Sequence, residues 1–527
     1  MPLTLEALLQ GYSDPEAGRI VTLDSLRQNS ADYKDESRLT VMDPMVSRYL
    51  KSIRIINDAG SLMQLSRDRV KVSVEYLIKL VDLMSEYKGQ YKGQKVIDVR
   101  LTDAQRNDLR KIPGNVTFDD QKQIEYMDSI CHHDLAATTD WLKIQLLTRP
   151  ELGLQDFAEA VHFALTSEDV NSPAFGLINK TILTKSILPT ILDFQKQIID
   201  YAIANDQIVA GLTHGQPAEY TTLAKRFMNI ASTIDYSLKT FETEFIFPGK
   251  MGGAVGNLND HRAAYSDINW PEFFKDLVEG MGLKYVKMTD QSSSFIEYQD
   301  LAGRLRQITR TSNKFGKDLW TSVQNFWYNK MVKKGHKGSS VMAQKFNPWQ
   351  LEGGKAIMQK GQVMLDKSVD LLINYNFEGD MSRSIITRDM PGDYARIVLG
   401  IKRIGDELSH YIPNVQNVLR VVEQNPGMSS APIMTVLKRA GITGDAYRMI
   451  QTLSYNKEDQ RPSTRIEFEH GIKTFMTHGI VPKNLGYELI GLLEPSNCLG
   501  YAREFATEEV EKCMSTVKNI RKTYDIR

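Results

Sequence analysis

Cysteine is almost missing from this chain. Three occur among 527 residues, Cys131, Cys498 and Cys513, and no two form a CxxC pair. That excludes a disulfide scaffold or a zinc ribbon and fits a reducing cytoplasm. A charge surplus is missing too: Lys plus Arg is 65 and Asp plus Glu is 65, for a formal net charge of zero. Phosphate neutralisation needs basic excess, so no nucleic-acid partner is expected. No apolar run reaches about 18 residues, so no membrane span is expected. The opening "MPLTLEALLQGYSDPEAGRI" lacks a basic stretch followed by an apolar one, so no secretory signal is expected either. There is no internal repeat and no low-complexity tract. Two-residue alternation is scarce, which argues against a sheet-rich fold.

What the sequence has is helical period. In Thr181–Asp206, Leu188, Ile191, Leu192, Gln195, Ile198, Ile199 and Ala202 recur at three- and four-residue steps, placing the apolar ones on one stripe. Pro189 falls inside that pattern and is expected to kink the helix or to begin its regular part. Arg69–Tyr87 and Glu352–Tyr375 read the same way. Long helices with continuous stripes pack into bundles, often across subunits. The chain is too long for one compact core. The expected division is a turn-rich N-terminal extension (1–43), an N-terminal helical domain (44–150), a central long-helix bundle (151–395) and a C-terminal helical domain (396–527).

Four stretches carry residues suited to chemistry. "HHDLAA" begins at His132, and its His-His-Asp cannot all face one point on a helix, which argues against a metal site built there alone. In "HFALTSEDVNS", Thr166 and Ser167 either cap a helix with the acids that follow or bind a carboxylate at its N-terminus. In "GLTHGQPAEYTT", His214 sits at a Gly/Pro break, either as a satisfied turn residue or as a cleft histidine titrating near neutrality. "KKGHKGSSVMAQKFNP", 333–348, is either a solvated loop or a lid that closes over an anion and excludes water.

Together these stretches resemble the fumarase/aspartase superfamily. Its signature G-S-S-x-M-P-x-K-x-N stands here as Gly338, Ser339, Ser340, Val341, Met342, Ala343, Gln344, Lys345, Phe346 and Asn347, departing at Ala343, with Glu352 beyond. "LTSEDVNSPA", "THGQPAEYTT", "GKMGGAVGNLNDHRAAY" and "SRSIITRD" are similar, in this order, to the adenylosuccinate lyase family within it.

The resemblance implies an all-α, three-domain fold whose central bundle is shared in a homotetramer with composite sites. It implies a cytoplasmic carbon–nitrogen lyase that releases fumarate from a small succinylated nucleotide and uses neither metal nor cofactor. By the same resemblance Ser340 is the general base and His214 the general acid. Lys345 and Asn347 hold the carboxylates and the charge that builds on them, with Ser339 supporting. Glu352 orients the histidine. His133, Asp134, Thr166, Ser167, Thr213 and Gln216 line the site. Arg48 and Tyr49 bind a phosphate, and Gln291, Arg388 and Arg396 are further substrate contacts. Two other readings stand beside this one: a fumarate-releasing lyase with a changed substrate, and a non-catalytic homologue.

Overall fold

The computed structural model describes residues 22, 44–332, 341–342, 344–442 and 445–527, with no side-chain description at 44–47 or 150. The 1–43 extension apart from Thr22, and the signature residues Ser339 and Ser340, therefore lie outside the described residues.

Helices dominate. In chain order they include α1 (Pro44–Ala59), α2 (Leu62–Glu86), α3 (Phe118–Cys131), α4 (Asp134–Leu147), α5 (Ser167–Ile182) and α6 (Leu188–Ala204). A hairpin follows, β1 (Ile208–Thr213) and β2 (Gln216–Thr222), then α7 (Leu223–Leu238), α8 (Ile296–Gln324), α9 (Trp349–Ile373), α10 (Ser382–Leu408) and the terminal α11 (Ala502–Thr523). The fold is all-α, as the helical period implied; the other strands among the described residues are two- or three-residue pairings.

The long helices α6 to α10 form a bundle. α9 packs against α10 along its length, α8 against α9, α6 against α7 and α10. Every residue of the stripe read from α6 is buried, Leu188 through Ala202. That includes Gln195, whose Nε2 donates to the Ala231 carbonyl of α7 at 2.8 Å, while its Oε1 is buried with no hydrogen-bond partner among the described residues. Pro189 opens α6: a π-helical turn, Leu183–Ile187, separates it from α5, and the missing N–H of Pro189 falls in the first turn, where none is needed.

Helix α10 runs unbroken through 395/396, where a domain boundary was expected. Beyond it, Ile433, Leu437, Ile450, Phe468, Ile472 and Leu489 form a separate apolar cluster. α11 then returns to the main core through Ala506, Cys513, Val517 and Ile520 and packs on α7. No helix among the described residues is long and apolar enough to cross a membrane.

Candidate active site

The "HHD" run is a junction between two helices. His132, with φ of 51°, ends α3 in the left-handed region, and His133 caps α4, its Nδ1 accepting from the Ala136 N–H at 3.2 Å. An accepting Nδ1 puts the proton of the neutral ring on Nε2. That N–H points at Ser167 Oγ, 3.4 Å away at the start of α5. The junction thus turns the two histidines apart and brings His133 to Ser167.

Asp134, first residue of α4, is the centre of the network. Its Oδ2 accepts from Arg69 Nη2 at 2.8 Å and from Arg388 Nη2 at 2.6 Å. Burial pushes this carboxyl up, but the two guanidinium groups outweigh it and hold Asp134 below the ordinary carboxylate range. Arg69 is buried inside α2, and its Nε donates to Asn171 Oδ1 at 2.9 Å. Asn171 Nδ2 donates to Glu168 Oε1, and Ser292 Oγ donates to Glu168 Oε2, both at 3.0 Å. Four separated segments, α2, α4, α5 and α10, and the loop before α8 therefore meet in one hydrogen-bonded set. Arg69, Asn171, Glu168 and Ser292 were not singled out from the sequence as site residues. The only signal was their place beside Thr166, Ser167 and Gln291, and for Arg69 there was none, since it lies in an apolar helix pattern.

Thr166 sits at the N-terminus of α5, where its N–H donates to Asp169 Oδ2 at 2.9 Å. The capping reading of this stretch is therefore met by Asp169, and Ser167 remains directed to His133. Asp169 is itself buried against Lys250, whose Nζ is 2.7 Å from Oδ1, and accepts from the Gly252 and Gly253 N–H groups. "GKMGGAVGN" is thus the loop that seats the start of α5.

Two other groups of expected site residues lie elsewhere in the chain. Thr213, His214 and Gln216 are exposed at the tip of the β1–β2 hairpin. His214 (φ 53°) and Gly215 (φ 75°) both have positive φ, which is the requirement of a two-residue turn that follows the twist of its strands. The His214 side chain has no hydrogen-bond partner among the described residues. The third group gathers around Arg403. The guanidinium of Arg403 lies between the rings of Tyr49 and Trp349, 4.9 and 4.8 Å from their centroids, and Arg48 is 5.6 Å from the Tyr49 ring. The Asn347 carbonyl accepts from Lys330 Nζ at 3.1 Å, and Lys345 is exposed. Glu352 accepts from Trp320 Nε1 at 3.0 Å, so within one chain it is tied to α8 and not to His214. Gln291 adjoins Ser292, and its N–H donates to the Glu378 carbonyl at 3.0 Å. Arg396 lies on the α9–α10 seam, where a Cβ added to Gly361 would come within 2.7 Å of Arg396 Cβ.

Comparison with known families settles the class. A family model described as "Lyase" matches residues 90–365, more than half of the chain. The chain belongs to this lyase family. Among curated relatives, this lyase is 26% identical to the adenylosuccinate lyase of Dictyostelium discoideum over 475 residues, 89% of this chain and 98% of that protein. It is 26% identical to the adenylosuccinate lyase of Escherichia coli K12 over 467 residues, 88% and 98% of the two chains. Among solved structures, it resembles 3-carboxy-cis,cis-muconate lactonizing enzyme from Pseudomonas putida (TM-score 0.66, 15% identity, covering 90% of this chain and all of that one). It also resembles fumarate lyase from Mesorhizobium sp. BNC1 (TM-score 0.62, 15% identity, 90% and 97%). These two likenesses concern the fold.

Proposed function

We propose that this lyase eliminates fumarate from adenylosuccinate, giving AMP, and from the succinylated imidazole-carboxamide nucleotide SAICAR, giving AICAR. Similarity to adenylosuccinate lyases across 89% of the chain is the observation that carries this reading. The Arg69–Asp134–Arg388 network, with Ser167 and His133 at its edge, supports it as a cluster of charged and polar groups with two guanidinium groups on one carboxylate.

In this reading Ser340 takes the proton from the succinyl carbon next to a carboxylate. The electron pair forms the C=C bond of fumarate as the C–N bond breaks, and His214 protonates the leaving nitrogen. The intermediate before C–N cleavage carries extra charge on the carboxylate, which Lys345 and Asn347 offset. Arg48 and Tyr49 take the phosphate.

Within one chain His214 lies on an exposed turn, and Glu352 is held by Trp320 and not by His214. The reading therefore includes a homotetramer in which one chain's hairpin tip meets another's Asp134 network. The exposed Met381 and Ile385 on or beside α10, and Val363 on α9, support burial of this surface against further copies.

The test is direct. Purified protein is given adenylosuccinate, SAICAR or argininosuccinate, and fumarate and nucleotide products are measured. Fumarate and AMP from adenylosuccinate are expected, and nothing from argininosuccinate. Release from argininosuccinate alone overturns the substrate and keeps the elimination chemistry.

A further inference from the structure

Arg383 carries an unmet demand for an anion. It is the second residue of α10 and only 2% exposed, yet its Nε and Nη1 are buried with no hydrogen-bond partner among the described residues. No carboxylate pairs with it there either. The guanidinium lies over the Tyr375 ring, its Cζ 4.1 Å from the centroid. The Tyr375 hydroxyl donates to Asp290 Oδ2 at 2.8 Å and also lies near the Arg383 guanidinium. A guanidinium keeps its charge at any pH a protein meets, so it cannot escape by deprotonating. A buried donor left open carries the full cost of its lost hydration. Such a group persists where something else supplies the acceptor.

The backbone keeps room for this side chain. A Cβ added at Gly379 would overlap Arg383 Nη2 and lie 2.7 Å from Gln291 Oε1. Gln291 and Arg383 therefore both press on the bare face of Gly379. The seat is also continuous with the network described above. Next to Gln291, Ser292 donates to Glu168; next to Arg383, Ser384 receives the guanidinium of Arg388, which itself reaches Asp134.

We propose that Arg383 is an oxyanion anchor of the candidate active site: its open N–H groups receive a carboxylate or phosphate group of the substrate, with Gly379 keeping the seat clear and Tyr375 packed against the guanidinium. The proposal deepens the elimination reading and rests on it for the identity of the ligand. The family resemblance assigned Arg383 no role, and its place beside Gln291, Tyr375 and Gly379 comes from the tertiary structure alone.

The experiment titrates the full-length protein with four probes, inorganic phosphate, AMP, succinate and fumarate, following heat or inhibition. The variants are Arg383→Met, Arg383→Lys and Gly379→Ala, each checked for native circular dichroism. Arg383→Met is expected to weaken one class of probe about 10-fold or more, the scale of a charge-assisted contact. Arg383→Lys is expected to recover part of the loss. Gly379→Ala, which displaces an intact Arg383, is expected to reproduce it and serves if Arg383→Met does not fold. Loss confined to phosphate and AMP assigns the anchor to the phosphate group; loss confined to succinate and fumarate assigns it to a carboxylate. Affinities within twofold of wild type for all four probes overturn the proposal, as does a wild type that binds none of them. Binding is read without turnover, so a protein that fails to cleave adenylosuccinate yet loses an oxyanion on Arg383→Met keeps the anchor and rejects only the substrate.

Discussion

Lys250 and Asp169 form an ion pair of 2.7 Å in which both side chains are fully buried. The carboxylate also accepts from Thr166, Gly252 and Gly253 N–H groups, and Lys250 Nζ also donates to the Gly253 carbonyl. One pair thus fixes the start of α5, where Ser167 meets His133, to the glycine loop. Lys250→Met leaves the carboxylate buried without its cation. A loss of about 3–5 kcal/mol is expected in denaturant unfolding. As a comparison, Lys196→Ala removes a half-exposed pair with Asp200 and is expected to cost at most about 0.5 kcal/mol. Equal losses for the two variants would reject the central role given to the buried pair.

His261 makes stability depend on pH. Tyr76 donates its hydroxyl proton to the Phe163 carbonyl at 2.7 Å, so its oxygen can only accept from His261 Nε2, 3.1 Å away. The neutral ring therefore carries its proton on Nε2 and leaves Nδ1 buried and without a partner among the described residues. Burial lowers its pKa to about 4. The unfolded chain, with histidine near 6.5, binds this proton first, so the contribution is complete above about pH 6.5 and is lost as pH falls towards 4. The loss amounts to about 3 kcal/mol. Wild-type stability should fall more steeply over that window than that of His261→Phe, whose ring would sit among Trp270 and Phe274. Parallel stability curves would reject the assignment.

The α9–α10 seam depends on glycine. A Cβ at Gly400 would overlap Met358 Cβ and lie 2.7 Å from the Gly354 carbonyl oxygen. Gly400→Ala should cost about 1–3 kcal/mol by overpacking, despite the better helix propensity of alanine. Gly303, with nothing near its missing Cβ on α8, should tolerate or gain from alanine in the same melting experiment.

Mixed chains test the composite site. Ser340→Ala and His214→Ala should each lower kcat by about 10²-fold or more, the scale of general acid–base catalysis. Co-expressed in one cell, the two inactive chains should regain activity, because mixed assemblies rebuild intact sites. Co-expression that restores nothing would place both groups of a site on one chain.

The sequence by itself determined the helices and the family. Residues 69–87, 188–202 and 352–375 repeat every three to four positions, and a buried stripe leaves no other conformation for such a run, so α2, α6 and α9 were legible as helices. Pro189 could be placed because proline has one favoured position in a helix, its first turn. The signature at 338–347 could be read because its spacing is local. What the tertiary structure alone decided is which polar groups meet. Arg69 reads as a member of an apolar helix until α4 and α10 bring Asp134 and Arg388 to it. Lys250 reads as a loop lysine until Asp169, 81 positions away, is buried against it. Arg383 reads as one charge among several until Tyr375 and Gly379 enclose it. Periodicity records which face of a helix avoids water, a property of neighbours along the chain. The partner of a buried charge is set by contacts between distant segments, and no local pattern encodes them.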